Sequence, residues 1–204
     1  MAWESINPMK DKKDYLTQDE FTSILSCVKN PDHQLIFIIL FKTGRRVSEV
    51  VGLAGLKVED IDFEKGLINF TILKKRPMKT EGLTPEQRAI IRSKITPYKS
   101  LLPVKQELLN YLEKYCIGRS GRLFHVTRQY LNQVFKKAGK DAGLTKRVHL
   151  HMLRHSFAIK MAESSKNPAD LEKLRLLLGH TNIEVTKSYL RFNPFDLREM
   201  VERV

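Results

Sequence analysis

Three short segments carry residue types that together could break and remake a phosphodiester bond. The first is Thr43-Gly44-Arg45-Arg46-Val47-Ser48-Glu49. The second is His151-Met152-Leu153-Arg154-His155-Ser156-Phe157-Ala158. The third is Leu177-Leu178-Gly179-His180, with Tyr189 nine residues after its histidine. A phosphodiester under attack builds negative charge on its non-bridging oxygens, and positive hydrogen-bond donors aimed there stabilise it. Arginine suits that task because its planar fork matches phosphate with two parallel bonds. A tyrosine hydroxyl can attack phosphorus and hold a covalent intermediate. Such an intermediate conserves the bond energy, so rejoining requires no ATP, metal or nucleotide cofactor. The sequence contains no Walker A motif, acidic metal cluster, CxxC pair or HExxH, so cofactors and metals are expected to be none.

Taken singly, each segment has an ordinary reading. An arginine and a glutamate three apart on a helix usually form a surface salt bridge. A histidine and an arginine three apart usually share a solvated helix face, and a tyrosine in an amphipathic helix is usually a core or rim residue. Composition leaves two readings, a basic surface that is merely solvated and one that meets a polyanion. The 204 residues carry 36 Lys+Arg against 23 Asp+Glu, a formal charge of +13. An excess of that size points to a polyanionic partner.

The three segments resemble the tyrosine recombinase (phage integrase) family, whose boxes read TGxRxSE, HxLRHSFA and LLGHxxxxxTxxY. This chain reads TGRRVSE, HMLRHSFA and LLGHTNIEVTKSY in the same order. The resemblance spans roughly residues 15–192 and implies a DNA strand transferase acting through a 3′-phosphotyrosine. It implies that Arg46 and Arg154 clamp the phosphate, that His151 is the general acid or base, that His180 bonds the scissile phosphate and that Tyr189 attacks it. Glu49 would orient Arg46 or His151. Arg45 is expected at the surface or on the DNA backbone. His149 and His155 flank the site and are read as packing or helix hydrogen-bonding residues.

The family also uses a lysine in the turn after the second strand of its small sheet, as acid to the leaving 5′-oxygen. Lys74, Lys75, Lys79 and Lys99 all lie in or beside that connection. Lys75 is the expected acid and Lys74 the second choice. The basic insert here is longer than the family's tight turn, and Lys74, Lys75, Arg76 and Lys79 are expected to contact DNA phosphates. The implied partner is double-stranded DNA, with a possible tetramer on DNA joined through a C-terminal tail helix at 193–204. The alternatives kept open are type IB topoisomerase-like relaxation and a non-catalytic DNA-binding derivative.

These residues need elements to hold them. Thr17-Gln18-Asp19-Glu20 reads as a capping box opening a helix with Phe21, Ile24, Leu25 and Val28 on one face. Asn30-Pro31 is read as its end, and a very apolar helix follows from about His33 to Lys42, broken by Gly44. A short helix is expected from Arg46 to Leu53. Residues 66–73 and 98–104 read as partner strands, with a small helix starting at Thr84-Pro85-Glu86-Gln87 between them. Helical spacing then marks Leu108, Leu109, Leu112 and Tyr115, next Leu131, Val134, Phe135 and Ala138, and then 150–163, 169–178, 182–191 and 195–203. The expected fold is mainly α with a small antiparallel β-sheet (α+β).

One domain is expected over 1–204, with a flexible segment at 1–14. The N-terminal DNA-clamping domain of many family members is expected to be absent. The longest apolar run, Leu35 to Phe41, is about a third of the ~20 residues that span a bilayer. Cys27 and Cys116 are too few for a disulfide framework. The expected location is the cytoplasm of a prokaryotic cell, or of the host of its virus or plasmid, with no membrane partner.

Overall fold

The computed structural model describes residues 14–52, 54–73, 82, 84–87, 97–165 and 167–179. In chain order these form α1 (Gln18–Ser26), α2 (Pro31–Thr43), α3 (Val47–Val50), a 3-10 turn at Val58–Asp60, β1 (Ile61–Asp62), β2 (Leu67–Leu73), β3 (Pro97–Pro103), α4 (Gln106–Cys116), α5 (Arg128–Asp141), α6 (His151–Glu163) and α7 (Pro168–Leu178). The fold class is the expected one: mostly helical, with a three-stranded antiparallel sheet in the order β1-β2-β3.

The local start signals act as read. The Thr17 hydroxyl accepts from the Glu20 amide at 3.2 Å, and the Glu20 carboxylate accepts from the Thr17 amide at 2.8 Å. The same reciprocal pair forms at Thr84 and Gln87, at 3.0 and 3.3 Å. Two readings are corrected. Asn30-Pro31 does not end α1, which stops at Ser26; it opens α2. The Asn30 side chain accepts from the Asp32 amide at 2.8 Å, and Pro31 occupies the first helical position, where its missing N–H is no loss. The helix expected from Arg46 to Leu53 is a single turn, Val47–Val50. The two-residue strand β1 was not foreseen, because two residues cannot display a period.

The core is built around α2. It buries Leu35, Ile36, Phe37, Ile39, Leu40 and Phe41, which occupy nearly every side of the helix. A helix apolar all round must be surrounded by protein. Each such side chain contributes roughly 1.5–3 kcal/mol on leaving water. The Phe37 ring meets Phe135 of α5 edge-on, with centroids 4.9 Å apart. α6 also packs on α2, and its Met152 and Leu153 are buried in the same core cluster. Both cysteines are free. Among the described residues no helix is long and apolar enough to cross a membrane, and no His/Cys/Asp/Glu group could hold a metal.

The central position of α2 matters because of its end. Gly44 caps it in the left-handed conformation, with φ +63°, and its amide bonds Leu40 O at 3.0 Å. A β-carbon at Gly44 would lie 2.3 Å from the Phe157 ring of α6. The turn therefore demands glycine twice over, for its backbone angle and for close approach. That approach sets the first box against the second.

Candidate active site

Arg46 is the residue before α3, in extended conformation. Glu49, one turn on, accepts from the Arg46 amide at 3.1 Å and from Arg46 Nη1 at 3.1 Å. The two side chains differ sharply in exposure, 44% for Arg46 and 5% for Glu49. A buried carboxylate thus anchors the arginine while the guanidinium remains open to solvent. This is more than the ordinary surface pair worth a few tenths of a kcal/mol. Of the two partners expected for Glu49, the structure gives it Arg46. Changing Glu49 to alanine removes a cap acceptor and a buried charge partner together. The expected loss is about 1–2 kcal/mol of stability, read as a lower urea midpoint; Glu49→Gln, which keeps an acceptor, should lose less. An alanine variant with the wild-type midpoint would show that the anchor is not structural.

Arg154 is buried on α6 at 4% exposure. Its Nη1 donates to Gly44 O at 2.9 Å, and its Nη2 donates to Leu178 O. One side chain of the second box therefore holds the backbone of the first box and of the third. Leu178 O is one of the last carbonyls of α7, which the helix itself leaves unpaired. Cations at a helix C-terminus also interact favourably with its partial negative charge.

Arg45 overturns an expectation. It is 2% exposed, not at the surface. Its Nη1 donates to Leu177 O at 3.3 Å and its Nη2 to Ser100 Oγ on β3 at 3.0 Å. The guanidinium carbon lies 4.9 Å from the centroid of the Phe70 ring. Adjacent arginines in one box thus have opposite fates, because the turn after Gly44 directs one inward and the next outward.

His151 occupies the first position of α6, at its exposed edge. Its pKa is pushed down to about 4. Partial desolvation is the leading cause, followed by the neighbouring His155, Arg154 and His149, with Asp14 opposing. A helix N-terminus also disfavours a cationic ring. The neutral imidazole suits proton acceptance at neutral pH better than donation as a cation. The pKa lies below the unchanged value of 6.5. This group therefore favours the folded chain above pH about 6.5, and that contribution is lost as pH falls towards 4. An NMR titration of the His151 ring in the free protein should show no protonation until near pH 4. A midpoint near 6.5 would refute the assigned environment.

His149 and His155 have defined surroundings. Asp14 Oδ1 lies 2.9 Å from His149 Nε2, and Asp14 Oδ2 lies 3.8 Å from His155 Nε2. The His155 ring meets His151 edge-on with centroids 4.5 Å apart. Asp14 is the last residue of the segment expected to be flexible. It is tied down because the next residues are: the Leu16 amide donates to Ser156 Oγ at 2.7 Å, and Lys146 donates to Tyr15 O at 2.7 Å. This network was invisible in sequence, since Asp14 and His149 are far apart in the chain.

Other placements follow. Lys99, on β3, pairs with Asp60 at 2.5 Å. Ser48 of the first box lines a cleft of about 430 Å³ with Arg122, His125 and Arg128, three basic residues not singled out from sequence. Their clustering in the segment 119–128 was the available signal. Lys74, Lys75, Arg76, Lys79, His180 and Tyr189 lie outside the described residues, as does the tail 193–204.

The sequence pattern of the phage integrase family matches residues 14–194. The chain belongs to the phage integrase family. Its relatives include the tyrosine recombinase XerA of Pyrococcus horikoshii, 32% identical over 188 residues, covering 92% of this chain and 60% of that protein. XerA of Thermococcus onnurineus is 32% identical over 206 residues, covering 98% of this chain and 67% of that one. The chain thus spans about three fifths to two thirds of these relatives. The catalytic domain of bacteriophage HP1 integrase superposes with a TM-score of 0.60 at 26% identity, covering 92% of this chain and 93% of that one. The Tn1549 transposon integrase, in complex with transposon right end DNA, shares the fold with a TM-score of 0.66 at 22% identity, over 95% of this chain and 66% of that one.

Proposed function

We propose that this phage integrase family chain is the catalytic domain of a site-specific recombinase that cleaves and rejoins double-stranded DNA. The observation that carries the reading is the Arg154 side chain, which joins the backbone of the first box at Gly44 to that of the third at Leu178. Three separately unremarkable segments are thereby tied around one buried cation. The relatives named tyrosine recombinase support the same reading.

In the proposed reaction, Arg46 and Arg154 face the non-bridging oxygens of the scissile phosphate, and His180 adds a hydrogen bond. The Tyr189 hydroxyl oxygen bonds phosphorus while the bond from phosphorus to the 5′-oxygen breaks. The tyrosine proton passes to neutral His151, and Lys75, or Lys74, protonates the leaving oxygen. The products are a 3′-phosphotyrosine and a free 5′-hydroxyl, and reversal on a second strand completes exchange. Lys74, Arg76 and Lys79 bind flanking phosphates, and tail segments join protomers into a tetramer on DNA. The setting is the cytoplasm of a prokaryotic cell. The charge of +13 supplies sequence-independent attraction that weakens steeply with salt.

The test is a pool of nicked suicide duplexes with randomised sequence around the nick, in which loss of a short strand traps the covalent state. An adduct that survives denaturation supports the proposal. DNA binding by folded protein without any adduct across the pool counts against it.

A further inference from the structure

Arg45 takes no part in the chemistry above, yet it is among the most buried polar residues described. It forms no ion pair with a carboxylate among the described residues. Its Nε is buried without an acceptor there. Burial lowers its pKa from the usual arginine value, with Glu49 and Tyr98 opposing that shift. A buried cation in this condition carries a desolvation penalty that an apolar side chain of similar length would avoid. That cost points to a role other than filling space.

Its contacts suggest that role. The backbone of Arg45 belongs to the turn that presents Arg46. Its Nη2 holds Ser100 on β3, its guanidinium covers Phe70 on β2, and its Nη1 holds Leu177 O in the last turn of α7. Those three places are the first box, the strands flanking the lysine-bearing connection, and the backbone three residues before His180. Arg154 binds the very next carbonyl, Leu178 O, from the opposite element. Neighbouring carbonyls at one helix end are thus taken by two different boxes. The Arg45 link also reaches the sheet, at Ser100 and Phe70.

We infer that Arg45 is a positioning residue, a buried brace that sets the third box and the β2–β3 pair at fixed places relative to Arg46. This rests on the recombinase reading for its consequence, since the lysine and His180 must address one phosphate from different elements. A planar fork can hold two acceptors at once at fixed angles; an ammonium cannot.

The experiment compares Arg45→Met, Arg45→Lys and Ser100→Ala with the wild-type chain. Amide hydrogen exchange is followed at 97–103 and 171–179, affinity is measured on a random-sequence duplex, and adduct formation on the nicked pool. In Arg45→Met, exchange should quicken at the end of α7 and around Ser100 only. DNA affinity should stay within about twofold while the adduct rate falls about 10- to 100-fold, the scale of an ångström-level misplacement. Arg45→Lys should recover part of the rate. Ser100→Ala, which removes one acceptor and no charge, should show the exchange effect on β3 even if the methionine variant does not fold. Lower DNA affinity with an unchanged adduct rate would overturn the inference in favour of a phosphate contact. Wild-type exchange and rate in Arg45→Met would overturn it outright. If the wild-type chain forms no adduct, the recombinase reading fails, while the exchange measurements still decide whether Arg45 is a brace.

Discussion

Tyr189→Phe should form no covalent adduct with the nicked duplex pool, a loss of at least ~10³-fold, because no other group replaces an absent nucleophile. The substitution removes one oxygen, so DNA affinity and thermal midpoint should remain those of the wild-type chain. A denaturing gel reads the result directly. The outcome also tests the other five tyrosines as a group. Tyr115 is a poor alternative: its hydroxyl is pushed up to about 12, first by burial and then by Asp32, which makes the attacking anion harder to form. Tyr130 packs edge-on against His33, beside the N-terminus of α2 and so at the other end of that helix from Arg46. Tyr98 is the closer rival. It is 40% exposed on β3, and a β-carbon at Gly179 would lie 3.7 Å from its hydroxyl. An adduct that persists in Tyr189→Phe and disappears in the double variant with Tyr98→Phe would reassign the nucleophile.

Arg154→Ala should be the most damaging change to fold and reaction together. Two backbone carbonyls, Gly44 O and Leu178 O, lose a charged donor at a buried place. An unpaired buried polar group costs about 1–3 kcal/mol, so a loss of roughly 2–4 kcal/mol is expected. For a chain of this size that lowers the thermal midpoint by about 5–15 °C. The adduct rate should fall ~10²–10³-fold, since one of two charges facing the phosphate is removed. Arg154→Lys separates the effects. It keeps the charge and loses the fork, so it should recover part of the rate and little of the stability. Calorimetry and the suicide-duplex assay measure the two quantities on the same preparations. An unchanged midpoint in Arg154→Ala would mean that the bonds to the first and third boxes do not hold them. Arg46→Ala should also reduce the rate, with a smaller loss of midpoint than Arg154→Ala: it takes the guanidinium from the buried Glu49 carboxylate, which keeps its bond from the Arg46 amide.

The contrast between these arginines bears on how far a sequence can be read. Motif matching assigned the family's arginine position to Arg46 and not to Arg45. It then gave Arg45 the wrong environment, because a basic residue in a basic chain is expected outside. The burial of Arg45 depends on β3, on Phe70 and on the last turn of α7, none of which is a chain neighbour.

What the sequence determined by itself was whatever depends on a few adjacent residues. The capping box at Thr17, the proline-first start of the turn at Thr84 and the left-handed stop at Gly44 follow from local sterics and unpaired backbone groups. The order of the three boxes and the family are likewise written in the chain. Tertiary structure alone decided which atoms meet. Arg154 reaches Gly44 across 110 residues, and Arg45 reaches Leu177 across 132. Glu49 is buried while its partner Arg46 is open, and Asp14 joins His149 across 135 residues. Such contacts are fixed by how helices pack around α2. Packing is a property of the whole core, so no window of neighbouring residues contains it.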